Sequence, residues 1–198
     1  MLDFWKSSAR RGRRVGILPA AFNPVTLAHQ EMARQGARQY ALDEVLFLLP
    51  RVFPHKIYTG AGFEQRVEML QAALAAEPQF SIGSTDQGLF IDIARACRPV
   101  YGSEGELFFL CGRDAAERIV NWDYGEGPRF ADQLWEFQML VAPRGGPYAV
   151  PLEYTGRIHL LDLAPEFEEC SSTAAREGVS RFVPPAVAEI IRRYRLYQ

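Results

Sequence analysis

Two segments, EVLFLLP (44–50) and ELFFLCG (106–112), constrain the fold most, because neither alternates. A strand with one face in water shows apolar and polar residues in turn. An unbroken apolar run needs cover on both faces, the condition of a central strand in a parallel sheet. RVGIL (14–18) and FQMLVAP (137–143) are of the same kind, FSIGS (80–84) is a shorter version, and RIHLLDL (157–163) closes the series. Helical patterns lie between them. TLAHQEMARQGARQY (26–40) brings His29, Met32, Ala33, Gly36, Ala37 and Tyr40 near one face. FEQRVEMLQAALAA repeats Phe63, Val67, Leu70 and Leu74 at helical spacing. IDIARACR (91–98) and RDAAERIV (113–120) read as helices, SSTAAREGV (171–179) as a turn or two of helix, and PPAVAEIIRRYRLY (184–197) as a helix with Pro185 at its start.

Strands alternating with helices predict right-handed βαβ units. The expected fold is α/β: a Rossmann-like, doubly wound parallel sheet forming a single domain over 14–198, with C-terminal helices docked on it. A basic N-terminal arm, 1–13, precedes it and is expected to fray. With 198 residues, 48 % of them hydrophobic, the chain can bury a sizeable core. A net charge of −2 argues against nucleic-acid or membrane-surface partners, and the apolar runs are too short to span a bilayer. Cys97, Cys111 and Cys170 are odd in number and far apart, with neither metal-ligand spacing nor a disulfide framework. That pattern, with no secretory-type apolar segment in the arm, predicts a cytoplasmic protein. A homo-oligomer is compatible with all of these features.

No P-loop, no G-x-G-x-x-G after the first strand and no G-x-S-x-G elbow is present. The informative stretch is the turn between the first parallel strand and the first helix, GILPAAFNPVTLAH (16–29). Open α/β sheets bind ligands at such strand ends, and a helix N-terminus attracts phosphate. Ala21, Phe22 and Asn23 lie in the turn; Thr26 starts the helix and His29 follows one turn on. The pair reads either as a phosphate clamp or as an N-cap with a packed histidine. Ser171, Ser172, Thr173 and Arg176 place hydroxyls and a guanidinium around another anion-sized space, or form a simple capped helix. His55 and Lys56, in FPHK, follow the second parallel strand. Gly112 and Asp114 follow ELFFLCG, where Asp114 suits ribose hydroxyls or a helix cap. Trp122 can stack on a ring or pack.

Together these motifs carry a resemblance. AAFNPVTLAH resembles the G-x-F-x-P-x-[HT]-x-G-H motif of the nucleotidylyltransferase superfamily, and SSTAAR its I-S-S-T-x-x-R motif. FPHK and the ending VPPAVAEIIRRYRLY resemble segments of bacterial nicotinate-mononucleotide adenylyltransferases. The resemblance implies that ATP and nicotinate mononucleotide are joined to a dinucleotide with release of pyrophosphate, with Mg²⁺ as cofactor and no protein metal ligand assigned. It implies triphosphate contacts for Thr26 and His29 and outer-phosphate contacts for Ser172, Thr173 and Arg176. Lys56 would meet phosphate, Asp114 a ribose and Trp122 the nicotinate ring. The segment DQGLF (86–90) would neighbour the ring substituent, with backbone donors at Gly88 and Leu89 and an acceptor in Asp86. Other readings are transfer to a different phosphorylated acceptor, by an adenylyl- or cytidylyltransferase, and a catalytically weak nucleotide-binding protein. Ala20 and Ala28 stand where the family has glycine, Asn23 where it usually has aspartate and Cys170 where it has isoleucine. The two alanines are expected to add methyl groups where phosphate approaches.

Overall fold

The computed structural model describes residues 1–9, 12–51, 60–143, 145–178 and 180–198. The strands are β1 (Leu2–Lys6), β2 (Arg14–Pro19), β3 (Glu44–Pro50), β4 (Phe80–Thr85), β5 (Glu106–Gly112), β6 (Gln138–Ala142) and β7 (Ile158–Leu160). They form one sheet in the order β1-β4-β3-β2-β5-β6-β7, parallel except for β1, which runs antiparallel to β4. From β2 the chain winds outward through β3 and β4, then crosses to β5 and winds the other way. The order therefore reverses between β2 and β5, where a crevice must open at the carboxyl ends.

The unbroken apolar strands divide their side chains between two cores. Val45, Phe47 and Leu49 of β3 and Phe108 and Leu110 of β5 face one layer. Leu46, Leu48, Leu107 and Phe109 face the other. The first layer receives α1 (Leu27–Gln39), α2 (Phe63–Ala73) and α7 (Pro185–Tyr194) through residues such as Met32, Leu70 and Val187. The second receives α3 (Phe90–Tyr101), α4 (Arg113–Val120) and α5 (Phe130–Gln133) through Ile93, Ala116 and Phe130. Each fully buried Leu, Ile or Phe contributes about 1.5–3 kcal/mol, so the two layers supply most of the driving force.

Glycine lets α1 lie close to the sheet. A Cβ at Gly36 would stand 2.8 Å from Leu110 Cδ2, and one at Gly16 would stand 2.8 Å from Leu42 Cδ1.

The residues expected to fray instead form β1. Leu2 and Phe4 pack on the second core, and Lys6 Nζ donates to the carbonyls of Leu74 (2.7 Å) and Glu77 (2.5 Å). The short helix α6 (Ser172–Arg176) lies across the start of α1. No helix among the described residues is long and apolar enough to cross a membrane.

Candidate active site

A cavity of about 490 Å³ opens at the carboxyl ends of β2, β3 and β5, at the reversal of strand order. One wall is the β2–α1 turn with α6; the other is the N-terminus of α3, α4 and the loop after it.

The turn is backbone under constraint. Phe22 has φ +47°, a left-handed conformation that costs a bulky residue on the order of 1–3 kcal/mol and persists only where its surroundings impose it. They do. Its ring is buried between His29 (centroids 5.2 Å apart) and Phe47 (5.6 Å). Its neighbours' acceptors are held by donors from distant segments. Arg66 Nη1 of α2 donates to the Ala21 carbonyl (3.1 Å), Arg176 Nη1 to the Asn23 carbonyl (2.7 Å) and Ser172 Oγ to the Pro24 carbonyl (2.8 Å). Asn23 Oδ1 accepts the Ala61 N–H (3.2 Å) and the Tyr197 hydroxyl (2.7 Å). With these acceptors occupied by the protein, the turn offers an incoming anion little carbonyl repulsion.

His29 lines the cavity, and Thr26 lies behind it rather than in the wall. Thr26 is fully buried, with its backbone N–H 3.1 Å and its hydroxyl 2.7 Å from His29 Nδ1. A backbone N–H can only donate, so Nδ1 is the acceptor and the ring proton sits on Nε2. The structure thus places Thr26 behind the wall, where the motif suggested a triphosphate contact, and its part there is to set the tautomer that puts the His29 ring proton on Nε2.

Ala21, Phe22, Asn23, Trp122, Ser172, Thr173 and Arg176 join His29 in the cavity wall, as the sequence motifs suggested. Three others do not. Ser171 is the N-cap of α6, accepting the Ala174 N–H at 3.1 Å. Gly112 is the N-cap of α4, beneath the wall residue Cys111. Asp114 is exposed, pairs with Arg113 at 3.2 Å and does not line the cavity. His55 and Lys56 lie outside the described residues. Arg118, Tyr124 and Cys111 are wall residues that sequence reasoning missed. Their signal was present: Ala115, Arg118, Ile119 and Trp122 recur at i, i+3, i+4 and i+7, one face of α4 extended by a turn.

The wall carries the imidazole of His29 and the guanidinium groups of Arg118 and Arg176, and no carboxylate among the described residues. Burial pushes the Cys111 thiol and the Tyr124 phenol up to about 12, so neither adds negative charge at neutral pH. No group of three or more acidic, His or Cys residues able to hold a metal occurs among the described residues.

The two alanines differ in consequence. Ala20 lines the cavity, as expected. Ala28 does not: it is fully buried in a small cluster with Cys170 and Phe182. Cys170, in the same cluster, is smaller than the isoleucine of the motif, so both departures fall in one small core.

A cytidylyltransferase-like family model matches residues 17–178. The "probable nicotinate-nucleotide adenylyltransferase" of Solibacter usitatus is 30% identical over 191 residues, covering 93% of this chain and 99% of that protein. A protein of the same name from Chromobacterium violaceum is 32% identical over 218 residues, with 93% and 99% covered. The solved Plasmodium falciparum nicotinic acid mononucleotide adenylyltransferase complexed with NaAD shares the fold at a TM-score of 0.75 and 18% identity, covering 94% of this chain and 98% of that one. With a family model spanning most of its length and the family's two end motifs meeting at one cavity, the chain belongs to the cytidylyltransferase-like family of nucleotidylyltransferases.

Proposed function

We propose that the chain is a nicotinate-nucleotide adenylyltransferase that joins ATP to nicotinate mononucleotide and releases pyrophosphate, in the cytoplasm and in the service of NAD synthesis. The observation that carries this reading is the division of one cavity into a donor wall without carboxylates and an aromatic wall. Relatives of the same length bear the adenylyltransferase name, which favours adenylyl over cytidylyl transfer.

In this reading a phosphate oxygen of the mononucleotide attacks the α-phosphorus of ATP. The new P–O bond forms as the bond to the β-phosphate oxygen breaks, and pyrophosphate departs with the electron pair. Such a step needs alignment and charge stabilisation rather than a strong base. His29 donates from Nε2 to the α-phosphate as charge redistributes, and Arg176 and the Thr173 hydroxyl hold the outer phosphates, while Ser172, whose hydroxyl proton goes to the Pro24 carbonyl, keeps α6 docked on the turn. Magnesium would be carried by the triphosphate itself and would neutralise charge there, since the described wall has no carboxylate to hold it independently.

The acceptor's ring lies against Trp122 beside Gly88, Leu89 and Phe90. Nicotinate is favoured over nicotinamide on electrostatic grounds. Asp86, which could accept from an amide, stands outside the wall with its carboxylate 3.7 Å from Arg51, whereas Arg118 is in the wall. An amide N–H buried there without an acceptor would cost about 1–3 kcal/mol.

Pyrophosphate release is measured with ATP and each mononucleotide. The expected result is turnover with kcat/KM for the nicotinate form roughly tenfold or more above the nicotinamide form, the size of one lost buried hydrogen bond. No turnover with either acceptor would refute the reading, and a preference for the amide would refute the specificity.

A further inference from the structure

The residues after α7 turn back on the molecule and enter the phosphate-binding turn. Arg195 and Tyr197 have φ +52° and +64°, and the Leu196 N–H donates to the Ile191 carbonyl at 3.0 Å. The Tyr197 ring packs over Gly60 so closely that a Cβ there would stand 2.9 Å from its Cε1. Its hydroxyl donates to Asn23 Oδ1 at 2.7 Å, beside the Ala61 N–H on the same oxygen at 3.2 Å. Residues 23, 61 and 197 thus converge on one amide oxygen, and the backbone carbonyl of that same Asn23 is the acceptor for Arg176 Nη1. Burial raises the phenol's pKa, so the hydroxyl keeps its proton as a donor.

We infer that Tyr197 is a positioning residue for ATP, acting through Asn23 to fix the carbonyl that sets where the Arg176 guanidinium meets the outer phosphates. The inference rests on the proposed function in taking ATP as ligand. Arg176 has two anchors, the Asn23 carbonyl and Thr173 Oγ1 at 3.2 Å. The second sits on its own short helix, α6, so only the first ties the guanidinium to the β2–α1 turn. Asn23 in turn adjoins the strained Phe22 and the Pro24 carbonyl that Ser172 grips. Loosening Asn23 therefore loosens the registry between the turn and α6, while the aromatic wall across the sheet is untouched.

The test is Tyr197→Phe, which removes the hydroxyl and keeps the ring. Isothermal titration with ATP and with AMP, in the absence of acceptor, reads binding without requiring turnover. The expected result is a dissociation constant for ATP raised roughly three- to tenfold, about the effect of one hydrogen bond, with AMP unchanged. In an Arg176→Ala background the same substitution should add nothing to the loss of ATP affinity. Thermal melting confirms that the variant is folded. Unchanged ATP affinity, an equal loss for AMP, or a full additional loss in the Arg176→Ala background would each overturn the inference. If wild type binds ATP but turns over no acceptor, the functional reading fails while these titrations still decide the role of Tyr197. If a melting shift shows Tyr197→Phe to be unfolded, Ala61→Pro, which removes the other donor to Asn23 Oδ1, is titrated in its place; selective loss of ATP supports the inference and unchanged ATP affinity overturns it.

Discussion

The two walls of the cavity are built on opposite principles. The donor wall, from the β2–α1 turn and α6, is pinned by side chains 45, 148 and 153 residues away along the chain. The aromatic wall, from the start of α3 and from α4 with its following loop, presents ring faces and backbone and one exposed arginine. Phosphoryl transfer gains from donors that do not reorganise as charge moves, and that is what a strained, many-anchored turn provides. Recognition of a flat ring asks only for a flat surface of the right size. On the proposed function, chemistry and selectivity fall on different layers of the sheet and should respond to substitution independently.

The sharpest way to break that division is His29→Ala. If Nε2 donates to the reacting phosphate, kcat should fall roughly 10²–10³-fold with KM for the mononucleotide unchanged. Steady-state kinetics with ATP saturating decides it, and near wild-type turnover would return His29 to a packing role. Next in size is Cys170→Ile. It overfills the cluster where the Ala28 methyl already sits, and should cost about 1–3 kcal/mol in chemical denaturation. Ala28→Gly in the same chain should recover part of that loss; additive losses would show that the two positions do not share space.

On the other wall, Trp122→Ala should raise KM for the mononucleotide by a factor of about ten or less, leaving kcat and the ATP KM in place. If the ATP KM rises instead, the indole serves adenine and the assignment of the two walls to two substrates is reversed. The smallest effect lies outside both walls. Burial, and then the charge of Arg157, lower the pKa of His159, which bonds Gln138 Oε1 at 2.9 Å. The unfolded chain therefore takes up this proton more readily than the folded one. Its stabilising contribution is complete above pH ~6.5 and is lost as pH falls through the lower folded value. His159→Gln should flatten that slope in melting curves without altering turnover.

Much of this was legible from residues alone, for identifiable reasons. EVLFLLP and ELFFLCG could only be central strands, and both begin and end where the sequence places them. The turn after the first parallel strand stood out by its residues, and the reversal of strand order seen in the structure falls beside it. What stayed hidden depended on direction or on distance. The spacing of Thr26 and His29 puts them on one face, but cannot say that the hydroxyl points into the core. Asp114 and Arg118 are both charged residues on one helix; which of them meets the cavity depends on which face of α4 the fold turns inward, the one carrying Ala115, Arg118 and Ile119. Tyr197 reaches Asn23 across 174 residues, and no local pattern announces such a contact. β1 was obscured because Trp5 interrupts its alternation and the basic residues after it read as a solvated arm.

That strand has a consequence for how the molecule keeps its own company. β4 is buried along its whole length and carries no charged residue, so with its outer side bare it would offer another chain a row of unpaired amides and carbonyls. β1 occupies that side and ends the sheet with Asp3 and Lys6, and its register slips between Phe4 and Lys6. A charged, irregular border is a poor template for further pairing. At the opposite border β7 is only 3 residues long. Both margins of the sheet thus resist growth by strand addition, which protects the folded chain from edge-to-edge aggregation.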